Sequence, residues 1–151
     1  MIDTYIEETL TETFKTLSLI KTKTVNGKQE INVAEPNKAF TQANWMKETE
    51  GWYEIDFLPG EPIQSELGTS GRNRWVGIFQ VTICVKLNIG KGMINARFNA
   101  IADLFKRGTV FSGIEITSCH RSPNLTSELE GAEVDHYRLP VRIAYRADLA
   151  N

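Results

Sequence analysis

Gly68-Thr-Ser-Gly71-Arg72-Asn73-Arg74 gathers two glycines and two arginines into seven residues, the make-up of a loop that could cradle phosphate. Such a loop needs G-x-x-x-x-G-K-[ST] between a strand and a helix, so that backbone N–H groups and the helix dipole converge on the anion. The lysine, the hydroxyl and the helix are missing here, and Trp75-Val-Gly-Ile-Phe-Gln-Val81 reads as a strand instead. The glycines then serve a turn with positive φ, and the arginines are solvated or paired. Gly90-Lys-Gly92 does open a helix, yet no acidic residue ends a second strand about 20 positions on, as a dinucleotide fold requires. It reads as a tight strand-to-helix turn.

Other reactive side chains lack the spacing that chemistry needs. His120 follows Cys119 and His136 follows Asp135, so the two pairs could meet across a sheet, but no ligand spacing brings them together. No serine lies in G-x-S-x-G, and Glu128 and Glu130 fall in a polar stretch where solvation is the default. No catalytic residue, cofactor or metal is expected. Arg138, Arg142 and Arg146 are the more informative group, because their even spacing lays a basic stripe along one face of the last strand. Acidic neighbours on the same surface are the favoured match for it; an acidic protein surface or passing nucleic acid is the alternative.

Composition narrows the classes. The chain has 151 residues, 41% hydrophobic and 24% charged, which suits one ordinary core. Its formal net charge of -2 gives no basic field, so duplex nucleic acid is not expected as the main partner. No apolar run approaches the roughly 20 residues of a membrane span, and the amino terminus has no signal-like pattern, which predicts assembly in the cytoplasm without a membrane. Asn124-Leu-Thr126 fits a glycosylation pattern that matters only on secretion. Cys84 and Cys119 lie in strand-like patterns without CxxC spacing and read as two buried thiols.

The elements that position these residues can be read from periodicity. Ile2, Ile6, Leu10, Phe14 and Leu17 predict an amphipathic helix. Residues from about 21 to 49 read as a partly extended arm, in which Asn26-Gly27 could join two short strands and Glu35-Pro36-Asn37 marks a break. Trp52, Ile55, Phe57 and Leu58 mark a strand ending at Pro59-Gly60, with Pro62 expected to keep the next segment out of a ladder and a polar loop from about 59 to 73. From Arg74 to Leu87, Trp75, Phe79, Val81, Ile83, Val85 and Leu87 share one parity, broken only at Gly77, so one face of a long strand is buried. Its other face, Val76 to Lys86, begins apolar and becomes polar, which predicts half cover by a helix or another subunit.

Ile94, Phe98, Ile101, Leu104 and Phe105 predict a second helix, with Gly108 expected as its left-handed cap. Thr109 to Phe111 and Ile114 to Cys119 come next as one strand or a bulged pair, with Gly113 as the expected irregularity, then a polar loop from Ser122 to Asp135. The last strand points Tyr137, Leu139, Val141, Ile143 and Tyr145 inward. Pro140 makes it an edge strand, or faces an unpaired side. The sum is an α+β single domain, a mainly antiparallel sheet with two helices packed on one face.

The runs "AEPNKAF", "FLPGEPIQSELGTSGRNRWVGIFQV" and "NIGKGMINARFNAIADLFKRGTVF" together resemble the tail terminator-like proteins of long-tailed bacteriophages, the tail-completion or minor tail protein U-like family. The shared pattern is Pro36-Asn37 with Phe40; Leu67-Gly68, Gly71, Arg74, Gly77 and Gln80; Gly90 and Gly92 before the helix; and Phe105-Lys106-Arg107-Gly108 after it. The resemblance implies a non-enzymatic virion protein that caps the tail tube as a homo-oligomeric ring, commonly a hexamer. Its partners would be the major tail tube protein and a head-tail connector protein, with nucleic acid only as the passing genome. It implies no catalytic residues. Arg72 and Arg74 in the loop and Arg138, Arg142 and Arg146 on the last strand are the candidate interface residues. The alternatives are a head-tail connector or other neck protein, and a small nucleotide- or metal-dependent enzyme.

Overall fold

The computed structural model describes residues 2–36, 38–41, 44–45, 51–64, 72–86, 91–122 and 136–150. The first helix, α1 (Ile2–Phe14), turns Ile6, Leu10 and Phe14 into the core at four-residue spacing, with Asp3 in its first turn suited to the helix dipole. It ends earlier than the apolar stripe predicts. After Phe14 the backbone tightens into i→i+3 turns, and Leu17 still packs on the core from there.

A separate two-stranded sheet comes next, β1 (Thr22–Val25) and β2 (Lys28–Ile31). Asn26 and Gly27 join them with φ of 52° and 79°, the left-handed pair that matches the twist of a tight hairpin. The base of this hairpin is held by the buried Asn32. Its Oδ1 accepts from the Lys21 amide at 2.8 Å, its Nδ2 donates to the Leu19 carbonyl at 3.2 Å, and its own carbonyl accepts from the Tyr53 amide at 2.8 Å. One residue thus ties the hairpin to the main sheet.

That sheet runs β3 (Val33–Ala34), β4 (Trp52–Pro59), β6 (Arg72–Lys86), β9 (His136–Ala150), β8 (Ile114–Arg121) and β7 (Val110–Phe111), with β5 (Ile63–Gln64) added beside β6. Only β3 and β4 are parallel. The long strands β6 and β9 pair antiparallel along their whole length, from Arg72 opposite Ala150 to Lys86 opposite His136. Alternation then divides the side chains cleanly. Phe79, Val81 and Ile83, with Val141, Ile143 and Tyr145, face α1 and α2 (Lys91–Leu104), and Phe79 is the hub. Its ring stacks on Phe57 at 4.8 Å and meets Phe14 of α1 and Phe105, just past α2, edge-on at 6.3 and 5.8 Å. The two helices share this face, as the sequence predicts, and neither described helix is long and apolar enough to cross a membrane.

Several local expectations are corrected. The last strand is no edge, because β9 sits between β6 and β8. Its proline is tolerated because β8 stops at Arg121: the Pro140 carbonyl accepts from the Ser122 amide at 2.8 Å, so its missing N–H points toward the side where the ladder ends. Pro62 does not keep the next segment out of the ladder, since Ile63 and Gln64 pair with Arg74 and Asn73; a proline removes only its own donor. Gly113 is a turn residue, with Ser112 and Gly113 at φ of 49° and 89° joining β7 to β8, and the register shift lies between Ile116 and Ser118. Gly108 has φ of 88° but lies beyond the end of α2, where its amide reaches the Ile116 carbonyl at 2.7 Å. Leu87 falls outside the described residues.

Gly77, the gap in the strand's apolar parity, has a packing cause. A Cβ there would lie 2.4 Å from the Tyr145 hydroxyl and 3.0 Å from the Leu58 carbonyl oxygen, so the Tyr145 ring occupies the space a side chain would need. Gly77→Val should cost about 1–3 kcal/mol by overpacking. Thermal unfolding should show a midpoint lower by several degrees; an unchanged midpoint would mean that the ring moves aside freely.

Candidate assembly surface

Both helices cover one face of the sheet, so the opposite face is where the chain has surface to spare. Its rows are set by the registers. Trp52, Cys84 and Arg138 form one row, and Glu54, Thr82 and Pro140 the next. Then come Asp56, Gln80, Arg142 and His120, and after them Leu58, Ile78, Ala144 and Ser118. Val76, Arg146 and Glu115 form the fifth row, and Ile63, Arg74 and Asp148 the sixth.

The first two rows are covered by the chain itself. Trp45 packs on Trp52 and Cys84 with Phe40 alongside, so the polar end of this face is covered by the chain's own arm and not by the helix or second subunit expected. The hairpin holds that arm down: Trp45 Nε1 and Asn44 Nδ2 donate to the two oxygens of Glu30 at 3.1 and 3.0 Å, Lys23 donates to the Asn44 carbonyl, and its ammonium lies 4.5 Å from the Trp45 ring centre.

Beneath the arm lies a polar cluster around Glu54. Its carboxylate accepts from Arg138 Nη1 at 2.6 Å and Nη2 at 3.1 Å, from Trp52 Nε1 at 3.2 Å and from Cys84 Sγ at 3.1 Å. Burial pushes the Glu54 carboxyl up, but hydrogen bonds from Arg138, Cys84 and Trp52 and the charge of Arg138 prevail and hold it below its ordinary value. Cys84 is driven well above the usual thiol range, by burial first and by the Glu54 charge second.

The remaining rows are open. Leu58 and Ile63 are 52% and 59% exposed, and half-buried Val76, Ile78 and Ala144 continue the apolar strip between them. Charged groups frame it. Arg74 Nε meets Asp148 at 3.0 Å and Arg146 Nε meets Glu115 at 2.6 Å. Arg142, in the row between the covered half and the apolar strip, is exposed and donates Nε to the neutral Gln80 Oε1 at 3.3 Å, with no carboxylate within ion-pair distance among the described residues.

The predicted interface residues are therefore sorted by the sheet. Arg74, Arg138, Arg142 and Arg146 share one face; three are matched by acidic neighbours and Arg142 alone keeps its charge unpaired among the described residues. Arg72 begins β6 opposite Ala150, and its side chain and the Gly68–Gly71 turn lie outside the described residues. His120 stands opposite Arg142 while His136 opens β9 six positions away, a separation of roughly 20 Å along the strand. No group of metal-ligating side chains occurs among the described residues. Sequence reasoning missed Glu54, Trp45 and Ile63. Glu54 left one signal, as an acidic residue between Tyr53 and Ile55 in an apolar strand.

This architecture, a mixed but mainly antiparallel sheet with both helices on one side, defines an α+β class with known relatives. A solved structure whose own name states no function has the same fold, with a TM-score of 0.59, 16% identity, and coverage of 98% of this chain and 94% of that chain. No curated protein matches the sequence. The family model described as phage tail terminator protein matches residues 6–145, and the chain belongs to that family. It is thus a structural component of a phage tail that associates with other tail or head proteins, in agreement with the resemblance carried by the Pro36, Gly68–Gln80 and Gly90–Gly108 patterns.

The Glu54–Arg138 pair makes a testable statement. Both side chains are about a quarter exposed, so Glu54→Gln should lower stability by about 3 kcal/mol at neutral pH, the low end of the range for breaking a buried pair. The native carboxyl binds a proton less readily than the unfolded one, whose ordinary value is 4.5. Its contribution is therefore complete above that value and lost as the pH falls through the lower native one. Urea titrations from about pH 7 to about pH 3 should show the gap between wild type and variant closing in the acid range. A constant gap would assign the acid sensitivity elsewhere.

Proposed function

We propose that this chain is a single terminator-like domain, with an arm at about 21–49 and a loop at about 59–73, that caps the head-proximal end of the phage tail tube as a ring of six copies. The ring stops further addition of the major tail tube protein and offers the surface on which the head, through its connector protein, docks. Assembly takes place in the host bacterial cytoplasm. The role is architectural and needs no catalysis, cofactor or metal.

The observation that carries this reading, beside family membership, is the open half of the sheet. An apolar centre framed by charge pairs is the anatomy of a protein–protein contact. The frame is almost neutral, so it suits a protein partner better than a polyanion, and the genome would pass such a ring without being gripped. A small domain with distinct faces closes into a ring when one face meets a different face of the next copy. A covered tube end then presents a surface unlike the one that recruits tube subunits.

Deletion of the gene with tail lengths measured by electron microscopy tests the reading. Tails longer than normal and free of heads are expected. Tails of normal length would overturn it in favour of a connector or other neck role.

A further inference from the structure

The layer opposite the open face carries the opposite need. Between α1 and Glu35, Pro36 and Lys38 lies a cleft of about 430 Å³ walled by Glu7, Glu8, Glu12 and Glu35 and floored by Ile55 and Phe57. Lys15 and Lys38 are already engaged there, Lys15 with Glu12 and Glu35 at 3.7 and 3.3 Å and Lys38 with Glu35 at 3.4 Å. Glu7 and Glu8 have no cation within ion-pair distance among the described residues. Burial and the nearby Asp3 charge push the Glu7 carboxyl up, the behaviour of an acid that lacks a cation.

Across the sheet, Arg142 has the complementary deficit. Only its Nε is used, on Gln80, and the two terminal nitrogens have no hydrogen-bond partner among the described residues. They form the fork that binds a carboxylate with two parallel bonds. An arginine stem also suits a cleft with an aromatic floor and acidic walls. The cleft lies on the helix layer and Arg142 on the bare layer, so no single copy can satisfy both.

We propose that Arg142 of one copy docks in the Glu7–Glu8 cleft of a second copy of this chain, seating α1 of one subunit on the bare sheet strip of the next. Because the two faces differ, the contact is head-to-tail, the kind that closes a ring when the rotation between successive copies is a whole fraction of a turn. Leu58, Ile63 and Ile78 lose their exposure beside the arginine, while the Arg74–Asp148 and Arg146–Glu115 pairs border the contact. The inference rests on the ring-forming role proposed above and names the surfaces that would build it.

Charge exchange tests it on the full chain. Arg142→Glu and the double variant Glu7→Lys/Glu8→Lys should each keep the thermal midpoint of the wild type, yet self-associate at least about tenfold more weakly by light scattering after size exclusion. Glu8→Lys alone, at an exposed position, serves if the double variant fails to fold. Mixed in equal amounts, the two charge variants should recover the wild-type mass, since every contact in an alternating ring then pairs opposite charges. Retention of the wild-type mass by either variant alone, a mixture that fails to reassemble, or a wild-type chain that stays single at millimolar concentration would each overturn the contact. Overlong tails in the gene deletion together with intact Arg142→Glu rings would overturn this contact and leave the capping role standing.

Discussion

The register between β6 and β9 is the constraint on which the rest of the molecule depends. It joins segments far apart in the chain, and it decides at one stroke what is core and what is surface. A slip of one residue would send Val141, Ile143 and Tyr145 to the bare side and bring Arg138, Arg142 and Arg146 under the helices, where burial of unpaired charge costs several kcal/mol per ion. The slip is resisted by Phe79, packed among Phe14, Phe57 and Phe105, and by Tyr145 filling the space above Gly77. Register and core therefore specify each other, and the surface arginines are aligned as a by-product.

The open face is neutralised by long-range pairing. Arg74 and Asp148 belong to neighbouring strands, as do Arg146 and Glu115, while Glu54 reaches Arg138 across the intervening strand. The two exposed pairs, Arg74–Asp148 and Arg146–Glu115, add little stability, but they fix the pattern of charge around an apolar strip. A protein that must join others in a fixed orientation gains more from this pattern than from net charge, because mismatched charges penalise wrong registers.

Much of the fold was legible because its signals are local. The alternation from Trp75 to Val85 and from Tyr137 to Tyr145 gave the buried faces, four-residue spacing gave α1, and Asn26-Gly27 gave the hairpin. The arginine stripe was visible for the same reason. What sequence could not supply was the partner of each residue: nothing near Arg138 announces Glu54, and nothing near Trp45 announces its seat on Trp52 and Cys84. Pro140 suggested an edge strand or an unpaired side, and the second holds, because the neighbouring strand ends beside it. Arg72, at the end of the glycine–arginine stretch that first suggested phosphate chemistry, begins the longest ladder of the sheet.

The cysteines bear on durability. A virion tail protein meets oxidants outside the cell. Cys84 is sealed beneath Trp45 and Trp52 and its thiolate is suppressed by burial and by Glu54; burial also pushes Cys119 up to about 11. Since the thiolate is the form that attacks disulfides and oxidants, neither sulfur has an appreciable reactive fraction at neutral pH. The arm that covers this end of the sheet is therefore also a chemical shield, keeping the Cys84 sulfur from covalent change when the particle meets oxidants.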